Sequence, residues 1–320
     1  MKLKTIMGYP RAAACVVALT SASAAMAALP QEITITGEKA HPESITNATD
    51  GTLYLSALGS GAVFRVKPGA AAAELWIQPE TATGPGTLGV LADGSTNTLW
   101  VCARGTGAPG GPPGNPSKLK SYDLQSGAMK AAYPFPTAGA VCNDIAIGTD
   151  GSVYATDTGN MEIVKLAKGG SALEVWCGNG AFGPKGGVLD GIALIGDKIY
   201  VNTLATSKLF SVTVQPGGAA GAVAEVVLDR AIDRPDGMRS FGNRLLLVES
   251  GGPGRLSMVS FDGNNGKVTT VKEGYAEGPV AVTVVGTTAY VVEAQLAVMR
   301  NAAATPAKQF RATAVEVGRP

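Results

Sequence analysis

Histidine is all but missing from this chain: His41 is the one example in 320 residues. Charged side chains are sparse, at 16%, and nearly balanced, with 26 Lys and Arg against 25 Asp and Glu. Aromatic residues make up 6%, and there are four cysteines. Each shortage excludes something. No basic stripe exists that could follow a phosphate backbone, which argues against a nucleic-acid partner. There is no Ser-His-Asp pattern and no Gly-x-Ser-x-Gly elbow, so no serine nucleophile stands out. The cysteine spacing fits no zinc motif. No segment beyond the first 27 residues reads as a membrane span. Long apolar stripes of 3.6-residue period are also missing, whereas Gly is abundant, at 43 residues. That combination indicates a compact β protein.

Residues 1–27 read as an export signal. Lys2, Lys4 and Arg11 form the positive start, and Ala12 to Leu19 form an apolar core too short for a spanning helix. Ala25-Met26-Ala27 fits the small-x-small cleavage rule, so the mature chain is expected to begin at Ala28 and to be periplasmic or secreted. Removing the signal turns the net charge from +1 to −2. Cys102, Cys142 and Cys177 remain. An oxidising compartment allows one disulfide and one free thiol among them, with the pair undecided, and equally allows three buried, inert thiols.

Residues 28–320 repeat. Asp50-Gly51-Thr52-Leu53-Tyr54 is echoed at Asn97-Thr98-Leu99-Trp100, Asp150-Gly151-Ser152-Val153-Tyr154, Gly196-Asp197-Lys198-Ile199-Tyr200, Gly242-Asn243-Arg244-Leu245-Leu246 and Gly286-Thr287-Thr288-Ala289-Tyr290. The closing residues are spaced by 46, 54, 46, 46 and 44. Turns of this kind between alternating strands mark hairpins, and the period is that of a propeller blade. The expected fold is therefore all-β: one six-bladed β-propeller domain, with four-stranded blades around a central channel. A TIM barrel or a sandwich does not predict a six-fold period. Ile33-Thr34-Ile35-Thr36 is expected to close the ring as an outer strand beside Phe310 to Val317. The long interval comes from Gly105 to Pro116, a Gly- and Pro-rich insertion that reads as a rim loop, either a lid or a plain surface excursion.

The strand that opens each unit should line the channel. Its opening position is held by Glu43, Leu88, Asn143, Asp190, Asp236 and Val280. Four of these six are oxygen donors and three are carboxylates. Carboxylates buried together need a cation or a proton, and an all-oxygen cluster suits a hard divalent ion, calcium above all. His41 lies two residues before Glu43, and strand alternation would put both on one face. Asp157, Asn202, Thr203, Glu249 and Glu293 recur near the end of the second strand, as supports for the channel residues or as ordinary turn residues. Glu277, just before the sixth inner strand, is placed at the rim within reach of a substrate, and Arg104 and Lys185 are candidates for an anionic group.

The local motifs are Pro42-Glu43-Ser44-Ile45, Cys142-Asn143-Asp144-Ile145, Leu189-Asp190-Gly191-Ile192 and Arg234-Pro235-Asp236-Gly237-Met238. In these, and in its repeat over nearly the whole mature length, the chain resembles the family of senescence marker protein-30, gluconolactonases and luciferin-regenerating enzymes. It is more distantly similar to diisopropylfluorophosphatase and the paraoxonases. The resemblance implies a six-bladed propeller with a divalent cation, usually calcium, in the channel. It implies Glu43, Asn143, Asp190 and Asp236 as metal ligands, Asn143 as a substrate contact as well, and Asp236 as the base. It also suggests His41 as a second candidate base, since paraoxonase-like enzymes use channel histidines. Two positions depart from the pattern. Asp190 stands where the family usually has Asn, and Val141 stands where the sugar-lactone enzymes carry Arg. The expected function is hydrolysis of a lactone or related ester, more apolar than a sugar acid, by metal-polarised attack of water. The alternative is a non-catalytic propeller with a structural channel metal and a rim that binds a protein or glycan. An exported lyase on the same fold ranks third, because it would need a positioned base that the histidine count does not favour.

Overall fold

The structure is a computed structural model, and it describes Met1 and residues 29–80, 85–106, 114–301 and 303–320. Apart from Met1, the expected export signal lies outside the described residues, as do residues 107–113 of the insertion, on which the choice between lid and plain surface loop falls. The ends of that insertion are tied together: Thr106 donates its N–H to the Asn115 carbonyl at 3.0 Å, and Gly105 donates to Ser117 Oγ at 2.9 Å.

Six antiparallel sheets form a ring, as the repeat predicts. The innermost strands are Pro42–Asn47, Thr87–Asp93, Cys142–Ile147, Leu189–Ile195, Pro235–Phe241 and Pro279–Val285. Each is followed outward by strands two, three and four of its blade. Blade five adds a two-residue strand, Val227–Leu228, which runs parallel to its outer strand Asn265–Glu273. Blade six takes its outer strand from the other end of the chain: Glu32–Thr36 pairs antiparallel with Gln309–Glu316, Ile33 opposite Ala312 and Ile35 opposite Phe310. The expected closure is therefore present.

Two of the aromatic residues that mark the repeat do the same job. Tyr54 and Tyr154 each pack on the tryptophan of their own outer strand, Trp76 and Trp176, with ring centroids 4.9 Å apart. Tyr54 also reaches the next blade, donating its hydroxyl to the Leu124 carbonyl at 2.8 Å. The apolar core is divided accordingly into six clusters, each spanning a seam between neighbouring blades. Burial across seams, rather than inside one central core, is what holds the ring.

One disulfide crosses such a seam. Cys102, on the second strand of blade two, is bonded to Cys142 at the start of the inner strand of blade three, with the Cα atoms 5.1 Å apart. Cys177 is free and half-buried, and burial pushes its thiol up to about 11. No helix among the described residues is long and apolar enough to cross a membrane.

Candidate metal centre and the adjoining cavity

In every blade the pairing between the inner and second strands slips by one residue, just after the inner strand begins. Pro42 faces Ala57, but the next pair is Ile45 with Leu55, and the same slip follows Thr87, Cys142, Leu189, Pro235 and Pro279. Such a bulge turns the strand and re-aims the side chain within it. The residue in the bulge is the one the repeat singles out: Glu43, Leu88, Asn143, Asp190, Asp236 or Val280. The chain enters four of these strands through a left-handed residue, His41 (φ 45°), Val188 (φ 60°), Arg234 (φ 49°) and Gly278 (φ 77°).

Glu43, Asp190 and Asp236, from blades one, four and five, converge. Each offers a carboxylate oxygen, and these oxygens lie within 4.8 Å of one another. All three residues are buried, and none is ion-paired with a basic side chain among the described residues. Burial is the first cause of a large rise in each carboxyl's pKa. Glu43 is driven further up by Asp236, Asp190 and Asp144, and Arg239 opposes this. Asp190 is pushed up by burial and then by Asp236 and Asp144, against a hydrogen bond from Asn143. Asp236 is pushed up to about 7 by burial; the Gly237 N–H opposes this, Asp144 adds to it, and Arg234 and Arg300 hold it down. Three buried, unpaired carboxylates in mutual repulsion fit a divalent cation, and an all-oxygen set fits a hard one. Asn143 stands beside them. Its Nδ2 donates to Thr158 Oγ1 at 3.0 Å, and Thr158 in turn donates to the Leu189 carbonyl at 2.5 Å.

The Asp-Gly motifs acquire a reason here. A Cβ on Gly191 would lie 2.5 Å from the Asp236 carbonyl oxygen, and one on Gly237 would lie 2.7 Å from that of Val280. Inner strands of adjacent blades approach so closely at the axis that no side chain fits between them. Asn202, at the end of the second strand of blade four, donates Nδ2 to the Asp236 carbonyl at 2.6 Å. Asp157, Glu249 and Glu293 do something else: each accepts the N–H of a residue just before an inner strand, from Val141 at 2.9 Å, Asp233 at 2.8 Å and Glu277 at 2.8 Å. They fasten the loop that delivers the channel residue. Thr203 faces Thr206 Oγ1 at 2.6 Å and accepts the Lys208 N–H at 3.3 Å, within its own turn.

His41 is not part of the acidic group. The shared face expected from alternation required His41 to be in the strand, but the strand begins at Pro42 and His41 has a left-handed backbone. Its Nδ1 lies 2.8 Å from the Ala294 carbonyl, and its ring packs edge-on against Phe310 at 4.9 Å. Arg104 is exposed on blade two. Lys185 is exposed and donates to Asn160 Oδ1 at 3.3 Å. Glu277 does reach a site: it lines a cavity of about 500 Å³ between blades five and six whose wall also includes Asp236 and Val280. A single-turn helix, α1 (Leu296–Arg300), forms another side of this cavity.

The sequence reading overlooked a largely buried ion pair. Arg239, three residues past Asp236, donates Nη1 to Asp144 Oδ2 at 2.8 Å. Its Nη2 reaches the Val90 carbonyl at 3.2 Å and Ser44 Oγ at 3.3 Å. One side chain from blade five thus touches blades one, two and three. The available signal was a lone arginine inside an otherwise weakly polar inner strand.

No family model matches the sequence, and no curated protein matches it. The fold has many likenesses among solved structures. The major allergen Mala s 1 of Malassezia sympodialis superposes with a TM-score of 0.71 at 16% identity, over 90% of this chain and 97% of that one. The gluconolactonase XC5397 of Xanthomonas campestris gives 0.61 at 14% identity, over 89% of each chain. Virginiamycin B lyase from Staphylococcus aureus gives 0.56 at 14% identity, over 89% of this chain and 98% of that one. At these identities the likeness is one of fold. It agrees with the propeller the sequence predicts and includes a gluconolactonase, a kind of protein the motifs already resembled. It also includes a lyase, so the fold by itself does not select the reaction.

Proposed function

We propose that the protein is an exported, metal-dependent hydrolase of a lactone or related ester. The observation that carries this reading is the placement of Asp236: it belongs to the buried carboxylate triad and is the one member that also lines the cavity. Glu43, Asp190 and Asp236 would hold the cation, with Asn143 beside them, and calcium suits the donor set. When bound, such an ion polarises a carbonyl and stabilises the negative charge that develops on its oxygen. The chain does the rest. The cavity orients the ester next to the triad. Asp236 accepts a proton from the attacking water. The Gly237 N–H, 3.1 Å from Asp236 Oδ1, and the Asn202 amide on the Asp236 carbonyl fix that carboxylate in place. Export is supported by the leader-like residues 1–27 and by the Cys102–Cys142 disulfide, since such bonds persist in oxidising compartments.

The test is hydrolysis of a lactone and ester panel by the mature protein, with chelator, with calcium restored, and in Asp236→Asn. Activity that vanishes with chelator, returns with calcium and falls at least 100-fold (~3 kcal/mol) in the variant is expected. A folded, calcium-loaded protein that turns over no member of the panel would leave the binding propeller as the better reading.

A further inference from the structure

The cavity beside Asp236 has a composition that selects among esters. Its wall is divided about evenly between polar and apolar surface, and Leu204, Pro279, Leu296 and Val298 are among its apolar residues. Its volume of about 500 Å³ lies in the range of small-molecule sites, roughly 300–1,000 Å³. Two arginines, Arg234 and Arg300, line the same wall.

These two differ from most of the protein's other arginines. Arg65, Arg230, Arg239, Arg255 and Arg311 each have a carboxylate partner. Among the described residues, neither the Arg234 nor the Arg300 guanidinium has an ion pair or a hydrogen bond. The one other acid in the wall, Glu277, is already engaged: Gln295 Nε2 donates to it at 3.1 Å, and Arg311 stands 3.8 Å away. Both arginines nonetheless rise from fixed bases. The Arg234 N–H donates to Ser207 Oγ at 3.1 Å, and its carbonyl accepts from the Ser250 N–H at 3.0 Å and Ser250 Oγ at 2.9 Å. Arg300 ends α1, whose preceding residue Gln295 is held by the Glu277 carbonyl at 2.9 Å and donates to the Gln309 carbonyl at 3.0 Å. The charges of both guanidinium groups reach Asp236.

We propose that the cavity takes a substrate with an apolar body and a carboxylate, the carboxylate pairing with Arg234 and Arg300 while the ester or lactone carbonyl lies at Asp236. This rests on the hydrolase reading and narrows it. Anion recognition is supplied by blades five and six: Arg234 precedes the inner strand of blade five, and Arg300 ends α1 of blade six. Arginine suits the task because its planar fork meets a carboxylate with two parallel bonds. An amide in place of the carboxylate would forfeit that charge-assisted pairing.

The experiment has a binding arm and a turnover arm. Calorimetry measures hexanoate against hexanamide on the calcium-loaded protein, in wild type, Arg234→Gln, Arg300→Gln and the charge-keeping Arg234→Lys. Hexanoate is expected to bind at least tenfold tighter than hexanamide. That advantage should shrink several-fold or more in each Gln variant and survive in part in Arg234→Lys. The same contrast is read as a ratio of kcat/KM for esters that differ only in carboxylate or carboxamide. Equal binding of the two probes in wild type overturns the proposal. So does an advantage that persists undiminished in both Gln variants, because the carboxylate would then be sitting on the metal. Discrimination in binding with no turnover of any ester would sink the hydrolase reading and leave the anion site standing. Turnover without discrimination would do the reverse. Both arginines are exposed, and a thermal melt matching wild type confirms that each variant is folded.

Discussion

Three carboxyl groups whose oxygens lie within 4.8 Å of one another cannot all ionise in a buried site at neutral pH without a compensating cation. The consequence for stability has a definite sign. Asp236 is raised from about 3.9 in an unfolded chain to about 7 in the folded one, and Glu43 and Asp190 are raised as well. A carboxyl with a raised folded pKa contributes stability that is complete below its unfolded pKa and is lost as pH climbs through the folded value. In chelator, the melting temperature should therefore fall as pH rises from about 4 through the Asp236 value of about 7, and saturating calcium should flatten the fall. A chelated protein whose melting temperature ignores this window would contradict the clustering. Glu249 has the opposite sense. Burial works to raise its pKa, but hydrogen bonds from Arg230, Ser257 and the Asp233 N–H outweigh that, and the net shift is downward. Its contribution is present above about pH 4.3 and disappears on acidification, so Glu249→Gln should cost stability at neutral pH and little in acid. The Arg239–Asp144 pair is a third kind of residue-level effect. Truncating one member of a buried pair costs roughly 3–5 kcal/mol because the other charge is left without a partner. Urea titration of Arg239→Met should show that loss, and Arg239→Met combined with Asp144→Leu should recover most of it. A double variant as unstable as the single would mean that the contacts of Arg239 to Val90 and Ser44, rather than its charge, hold the strands.

The inner strands explain which parts of the site could be read from sequence. Glu43, Asn143, Asp190 and Asp236 were legible because each is a polar residue opening an apolar strand at a fixed distance from a repeat landmark. The bulge that aims them was not, since it is defined by pairing with a second strand and not by residue type. For the same reason Asp144 and Arg239 looked like ordinary neighbours of the motif residues; their contact is 95 residues long in sequence and depends on how the blades are arranged about the channel. His41 shows the cost of extending alternation one residue beyond a strand: a left-handed backbone precedes Pro42, and the ring goes to Phe310 instead. The disulfide was undecidable for a related reason, because only the packing of blade two on blade three brings Cys102 to Cys142. Closing a loop of sequence separation 40 restricts the unfolded chain by about 4 kcal/mol in the chain-entropy picture. Denaturant titration of Cys102→Ser/Cys142→Ser should show a loss approaching that value. Because Cys142 immediately precedes Asn143, the same variant should also weaken calcium binding. Unchanged stability would mean that the bond is not formed in the folded protein.

At the scale of the ring, the carboxylate triad depends on a blade that supplies none of its members. Blade six lies between blade five, which carries Asp236, and blade one, which carries Glu43, so its closure is placed to set the distance between those two carboxylates. Its outer strand is Glu32–Thr36, and its hold is apolar: Ile33 and Ile35 are buried in one cluster with Phe310, Val280 and Ile45. Ile45 is two residues from Glu43, so the cluster that closes the ring also backs the strand that presents this carboxylate. Ile35→Ala should cost about 2–5 kcal/mol. If closure sets ligand spacing, it should also lower calcium affinity by about fivefold or more, the lower end of ordinary coupling between sites. Val175→Ala, at an exposed position on the outer strand of blade three, should change neither quantity. Linkage requires the converse as well: calcium at 100 times its dissociation constant should stabilise the wild-type ring by about 2.7 kcal/mol. Ile35→Ala, binding more weakly, should gain less at the same calcium concentration. An Ile35→Ala protein that is destabilised but binds calcium as tightly as wild type would separate closure from the site, and would show that the bulged inner strands hold their ligands without help from the seam.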